Sequence, residues 1–377
     1  MLTWILLLIL HRLLHETMII TLLIILVLNI FLSIVVNGLL LRFSKNLGIR
    51  SHQEFTIRWS AQAKPSIGGV SFFIGFLLSF ITLLLVFDYA EIAAKNLKFI
   101  GFFAAVLVAT LVGFMDDTFN TKPLIKLSGQ ILSGFIIAIT GTTIPFSHIL
   151  IVDIIITIIW VVALMNSLNM LDNMDGITTT VSIFVLVAAC AGFMIISSDD
   201  LSFNLKMNVS IIGALIGFLY YNWHPSKMFM GDTGSQFIGL YLAYASIDSL
   251  WRVGTSFENH RWLGFIICLV AFTPAAIDTL TVIINRLKRG QSPMIGGKDH
   301  TTHHLVYKGL KDNQVGRVFA LLGLVSTTLA IIGVYLVSIN IVWPLLFGIL
   351  YFILVFIWIY RITLKYKAPP SKSESNN

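Results

Sequence analysis

The chain has 377 residues, of which 57% are hydrophobic and only 11% charged, and a formal net charge of +7. About a quarter of a soluble protein is charged, so this composition excludes a soluble domain of any size and indicates an integral membrane protein. The positive balance does not point to nucleic acid, because in a membrane protein the informative quantity is where along the chain the cations fall.

The opening residues 1–10 are apolar, but their basic residue, Arg12, follows the run and no small-residue cleavage site is evident. This stretch is expected to be a retained terminus leading into the first span, not a removed signal peptide. Apolar runs long enough to cross a core of about 30 Å then recur from end to end. They predict about eleven transmembrane helices, near 18–41, 67–87, 99–115, 125–141, 149–166, 177–197, 208–222, 235–250, 262–285, 318–338 and 341–360. The expected fold is an all-α polytopic membrane protein, with one transmembrane domain over residues 1–364 and a disordered tail over 365–377. Cys190 and Cys268, the only cysteines, lie inside apolar runs and read as small core residues.

An odd number of spans puts the termini on opposite sides. With the N-terminus outside and the C-terminus in the cytoplasm, 19 of the 25 Lys and Arg fall on inner segments, which fixes that orientation. Every chemically suggestive loop then lies on the cytoplasmic face. Asp88, Glu91, Asp199, Asp200 and Glu258 in the outer loops read as solvated acids.

The first inner loop ends in Lys64-Pro65-Ser66-Ile67-Gly68-Gly69. A cation beside a fixed-φ proline and a glycine pair suits a phosphate or nucleotide, and equally a positive-inside anchor before a helix. Next comes Asp116-Asp117. Two carboxylates about 5 Å apart at an effective dielectric near 20 repel by roughly 3 kcal/mol, so one is protonated or a cation sits nearby. Phosphoryl transfer commonly supplies that cation as Mg²⁺. Asn166 to Gly176 packs three amides and two carboxylates into an oily chain, which costs several kcal/mol for each group that is not hydrated, paired or metal-bound. Asn169, Asp172 and Asn173 would share a helical face, with Asp175 and Gly176 ending the turn.

The fourth loop, His224 to Ser235, sets Asp232 between Gly231 and Gly234, with Thr233 and Ser235 able to supply hydroxyls or a helix cap. The fifth, after the ninth span, is basic and carries His300, His303 and His304, which would share a face on a helix. Without Cys or a nearby carboxylate motif they suit zinc less well than a diphosphate. Asp278 and Arg286 read as a structural pair near the end of that span.

In this order the five loops resemble the polyprenyl-phosphate N-acetylhexosamine-1-phosphate transferase family. The matching pieces are Asp116-Asp117, Asn166-x-x-Asn169-x-x-Asp172-x-x-Asp175-Gly176, Phe229-Met-Gly-Asp232-x-Gly234-Ser235, Asp278-Thr279 with Arg286 and Ser292-Pro293, and the histidine cluster. The resemblance implies a bacterial cytoplasmic-membrane enzyme with its active site facing the cytoplasm. It would transfer N-acetylhexosamine-1-phosphate, foremost GlcNAc-1-phosphate, from a UDP-sugar to undecaprenyl phosphate and release UMP. That reaction starts a lipid-linked cell-envelope glycan. The resemblance further implies Mg²⁺, with Mn²⁺ as a substitute, held by Asp232 with Asn169. Asp116, Asp117 and Asp232 would be catalytic, the first two acting on the lipid phosphate. Lys64, Asn169, Asp172, Asp175, His300, His303 and His304 would bind the nucleotide and diphosphate, and a homodimer is implied. Direct attack by the lipid phosphate and a covalent aspartyl intermediate both fit.

The His300-Thr-Thr-His303-His304 spacing departs from the family's His-x-His-His, and Leu305-Val306-Tyr307 follow where the peptidoglycan branch has a third histidine and a glutamate. The latter counts against a phospho-N-acetylmuramoyl-pentapeptide donor, the alternative within the enzyme class. From another class, an ion-coupled transporter would hold its acids near the midplane and not at one face.

Overall fold

The computed structural model describes residues 2–44, 64–86, 96–147, 149–196, 203–256, 261–294 and 296–367. The loop over 45–63, the outer acids Asp88, Glu91, Asp199, Asp200 and Glu258, and the tail from 368 onward lie outside these residues. Apolar sequence in a bilayer must satisfy its backbone internally, and the described residues accordingly form helices and no strand. In chain order these are α1 Leu2–Phe43, α2 Gly68–Val86, α3 Asn96–Phe119, α4 Pro123–Ile139, α5 Leu150–Leu171, α6 Ile177–Ile196, α7 Phe203–Asn222 and α8 Gly231–Ser246. There follow a π-helical turn Ile247–Trp251, α9 Val253–Ser256, α10 Arg261–Ala271, α11 Thr273–Lys288, α12 Thr301–Tyr307, α13 Asp312–Ser338 and α14 Leu345–Lys365.

Among the described residues, 8 helices are long and apolar enough to cross a membrane, or up to 9 if α10 and α11 count as one broken span. The chain is a multi-pass membrane protein, but the count of eleven is corrected. Every predicted run falls on helix, yet α4 has only 17 residues and α8 only 16 before its π-helical turn. The predicted ninth span is not one rod: α10 and α11 meet at 82°. Pro274 at the start of α11 removes a backbone donor. The Thr273 hydroxyl donates to the carbonyls of Leu269 (3.1 Å) and Val270 (2.8 Å) in the last turn of α10.

Helix α8 is the centre of the bundle. Every residue in it except Asp232 is buried, and it packs against α2, α3, α5 and α6. From Phe237 to Ala245 it carries only apolar and aromatic residues and glycine, so no side of that stretch calls for water. Glycines set how closely its neighbours approach. A Cβ on Gly69 of α2 would lie 2.1 Å from the Gly234 nitrogen, and one on Gly113 of α3 would lie 2.4 Å from the Asp232 carbonyl oxygen. The ends of three helices therefore converge where α8 begins. Ile20, Leu23, Val27 and Phe31 of α1 are exposed, as a lipid-facing surface requires.

Candidate active site

A cleft of about 1080 Å³ opens at the end of the bundle where α8 begins. Lys64, Asp116, Asn169, Asp172, Asp175, Asp232, His300 and His303 all line it. The structure thus brings together eight of the ten positions expected from the sequence. Asp117 and His304 stand behind the wall.

At one end of the cleft, oxygens from three helices meet around one ammonium group. Lys126 Nζ, from the first turns of α4, donates to Asp116 Oδ2 (2.8 Å), Asn169 Oδ1 (3.1 Å) and Asp232 Oδ1 (3.1 Å). The other Asp116 oxygen accepts from the Thr121 amide (2.9 Å) and hydroxyl (2.7 Å). The Asn169 amide donates to Asp232 and to Ser235 Oγ (2.9 Å), which fixes its carbonyl oxygen toward Lys126. Below them Asn166 donates to Gln130 (2.8 Å), and Gln130 donates to the fully buried Gln236 (2.9 Å), so amides continue the polar site into the bundle.

Asp117 faces the other way. It accepts the backbone N–H groups of Asp232 (2.9 Å) and Thr233 (2.8 Å) and the Thr233 hydroxyl (2.7 Å). A carboxylate on the first amides of a helix caps it and matches its dipole. Adjacent acids at the end of α3 therefore have distinct surroundings: Asp116 borders the cleft, while Asp117 holds the residue that carries Asp232. Gly231, at φ +75°, makes the turn from the fourth loop into α8, and a Cβ there would lie 2.8 Å from both Asp117 Oδ2 and Ser66 Oγ.

The glycine pair after Lys64 serves a purpose the sequence did not reveal. Gly68 N donates to Phe229 O (3.1 Å), Gly69 N to Met230 O (2.9 Å), and Phe229 N to Pro65 O (3.0 Å). These amides splice the fourth loop onto the start of α2 instead of facing a ligand. Lys64 itself reaches Ser226 Oγ (3.1 Å), stands 3.7 Å from Asp175 and lies over the Phe229 ring at 5.2 Å. Asp175 collects Ser226 N (3.0 Å), Ser226 Oγ (2.7 Å) and His224 Nδ1 (3.1 Å). The expected helical face is shorter than the spacing suggests. Helix α5 ends at Leu171 with Asp172 as its C-cap, and Asn173 turns back to donate to Met170 O (2.8 Å).

The expected Asp278–Arg286 pair does not form, because each finds a partner in the fifth loop. Asp278 is fully buried and accepts from His300 Nδ1 (2.9 Å), Thr301 N (2.9 Å) and Thr301 Oγ1 (2.6 Å), which pins the start of α12. Arg286 grips Asp299 with Nε (3.1 Å) and Nη2 (2.7 Å). Burial alone would raise the Asp299 carboxyl, but the bonds from Arg286 and Arg289 overrule it and bring it to about 2. The three histidines do not share one face: His300 precedes the helix, and His304 Nδ1 meets the Tyr366 carbonyl oxygen at the end of α14. Burial, then the neighbouring His300, lowers His303 to about 3, so it is neutral near pH 7.

Lys126 is the main residue that sequence reasoning missed, having counted it only as an inside positive. A single lysine entering an otherwise apolar run was the available signal. His224, Ser226 and Thr121 offered none, since ordinary loop polars look the same.

The family model described as Glycosyl transferase family 4 matches residues 99–250. That span holds Asp116, Lys126, Asn169, Asp175 and Asp232 but neither Lys64 nor the histidines. The decaprenyl-phosphate N-acetylglucosaminephosphotransferase of Mycolicibacterium smegmatis is 27% identical over 272 residues, 66% of this chain and 66% of its own. The probable undecaprenyl-phosphate N-acetylglucosaminyl 1-phosphate transferase of Bacillus subtilis is 25% identical over 277 residues, 71% of this chain and 73% of its own. A phospho-N-acetylmuramoyl-pentapeptide-transferase of Sulfurimonas denitrificans is 27% identical over 325 residues, 75% of this chain and 85% of its own.

Proposed function

We propose that the chain is a member of glycosyl transferase family 4, whose model it matches over residues 99–250, and that it moves an N-acetylhexosamine-1-phosphate, foremost GlcNAc-1-phosphate, from a UDP-sugar to undecaprenyl phosphate. In this reaction an oxygen of the lipid phosphate attacks the sugar-bearing phosphorus of the donor. The bond to the other phosphate breaks, and UMP leaves with that bridging oxygen.

The observation that carries the reading is the convergence of Asp116, Asn169 and Asp232 on one cationic point in a cleft at the end of the helical bundle. A divalent ion fits the same donor set, because all three atoms are hard oxygens and Lys126 already marks the point as one that takes a cation. Among the described residues no group of three or more His, Cys, Asp or Glu gathers as a metal site. The set present, two carboxylates and one amide oxygen, is of the size Mg²⁺ uses, since it binds through one or two carboxylates and the substrate's own phosphates. Asp232 with Asn169 would hold it, and it would offset charge developing on the transferring phosphoryl group.

The chain's own residues divide the remaining tasks. Asp116 orients the lipid phosphate, and Asp117 acts on it only through its hold on the start of α8. Lys64, with Asp172, Asp175 and Ser226, receives the nucleotide side of the donor. His300 and His303, across the cleft, face the diphosphate, with Arg286 and Asp299 fixing their loop. The lipid phosphate is taken as the nucleophile, since Asp117 is turned from the cleft onto the first amides of α8 and Asp116 is held by the Thr121 amide and hydroxyl. The concentration of Lys and Arg on the segments that build the cleft supports a cytoplasmic site in a bacterial inner membrane. Leu305-Val306-Tyr307 after the histidines argues against the muramoyl-pentapeptide donor.

Purified protein incubated with undecaprenyl phosphate, Mg²⁺ and a panel of UDP-sugars should release UMP with an N-acetylhexosamine donor. Absence of UMP with every donor would refute the transferase reading. Release with the muramoyl-pentapeptide donor alone would replace the sugar assignment.

A further inference from the structure

Lys126 holds three acceptors at once, and an ammonium group has three donors. Its hydrogen bonds to Asp116 Oδ2 (2.8 Å), Asn169 Oδ1 (3.1 Å) and Asp232 Oδ1 (3.1 Å) are therefore complete. Those oxygens come from α3, α5 and α8, and the lysine from α4, so four helices meet at one positive charge. The side chains of Lys126, Asp116 and Asp232 keep 15%, 12% and 27% of their surface exposed, all toward the cleft. The ammonium group thus has space to leave along its own flexible stem.

We infer that Lys126 is an exchangeable counter-cation. Its ammonium group and the divalent ion of the proposed reaction compete for the same three oxygens, and entry of the metal moves Lys126 into the cleft toward the diphosphate. This rests on the metal reading of Asp232 and Asn169. Two arguments carry it. Mg²⁺ needs oxygens at about 2.0–2.1 Å, closer than they stand around Nζ, so a metal at this point excludes the ammonium group from it. Charge gives the direction. Two carboxylates with a lysine leave one negative charge, whereas the same pair with a divalent ion is neutral and frees a cation for the incoming diphosphate. Substrate then meets a lysine released by the metal, which makes metal binding a precondition for full diphosphate affinity.

The test is a Mn²⁺ titration of the full-length protein in nanodiscs without substrates, following free Mn²⁺ by electron paramagnetic resonance. Wild type, K126Q and D232N are compared. The expected result is Mn²⁺ bound about tenfold or more tightly by K126Q than by wild type, because a competing positive charge has gone, while UMP release falls. A lysine with a purely structural role gives the opposite: the acids splay apart and K126Q binds Mn²⁺ equally or less well, which would overturn the inference. Equal binding by wild type and D232N, or none by either, would overturn the metal reading itself and with it this proposal. Should K126Q not fold, amine labelling of wild type read by mass spectrometry gives the answer independently. Mn²⁺ should raise labelling of Lys126 several-fold relative to Lys98, and unchanged or reduced labelling would overturn the exchange.

Discussion

A carboxylate and a lysine meet at each end of the central helix. At the start of α8 Asp232 bonds Lys126; sixteen residues on, in the π-helical turn, Asp248 bonds Lys98. The two pairs are separated by about 24 Å of helix rise, most of a bilayer core. Their surroundings differ. Asp248 is closed off: Asn204 and Lys98 each donate to it at 2.5 Å, Arg252 approaches at 3.4 Å, and Tyr244 in turn donates to Asn204 at 3.2 Å. Lys126 instead ties together three helices along a cleft wall. A buried ion pair by itself therefore says little about function. What distinguishes the site is that its charges border space and share one cation among several acceptors.

That contrast yields outcomes of decreasing size. Asp232→Asn should reduce UMP release on the order of 10³-fold, with little change in the unfolding temperature. Asp248→Asn should do the reverse, destabilising by about 3 kcal/mol through the uncompensated Lys98 while activity per folded molecule persists. Thermal unfolding beside a UMP assay checks both, and similar profiles for the two variants would dissolve the distinction. Gly69→Ala should come next: overpacking typically costs 1–3 kcal/mol, and pushing α2 off the Gly234 backbone should lower kcat with little effect on KM. Asp117→Asn should cost about 1 kcal/mol as a weakened helix cap and slow turnover by loosening Asp232, with Mn²⁺ affinity falling in parallel. If Asp117 acts on substrate directly, turnover falls with metal affinity unchanged.

Acid should act on stability and not on turnover. His303 sits at about 3 when folded against an ordinary 6.5. The unfolded chain therefore takes up this proton first, so the contribution is whole above pH 6.5 and is lost progressively as pH falls toward 3. Asp299, at about 2 against 3.8, adds a further loss only below pH 3.8. Unfolding temperatures should fall between about pH 6.5 and 4, and His303→Gln should flatten that range. An unchanged slope would show that His303 is not the group involved.

Much of this was readable from the chain alone. Apolar runs located every helix but the short α9 and α12, with α10 and α11 read as one, and polar residues inside oily sequence located nearly every cleft-lining acid, because each signal is a local cost that the sequence displays. What escaped is pairing across helices. Asp278 and Arg286 share a helix and looked like partners, yet each reaches into the fifth loop, a choice made by how α11 lies against α12. Asp116 and Asp117 are neighbours in sequence with different partners, since successive positions of a helix point in different directions. Lys126 looked like one more anchor until acceptors from three other helices met at its ammonium group.

Gly231 bears on a different matter, the durability of any inhibitor aimed at this cleft. Its backbone forms part of the wall, at a φ of +75° that side chains rarely adopt, and with two oxygens 2.8 Å from where a Cβ would go. A mutant escaping the compound by adding bulk there would both strain the turn and dislodge Asp117 from the start of α8. A compound resting on that patch meets a surface that single substitutions can hardly reshape, so resistance should arise first at exposed rim positions such as Met294, which also lines the cleft.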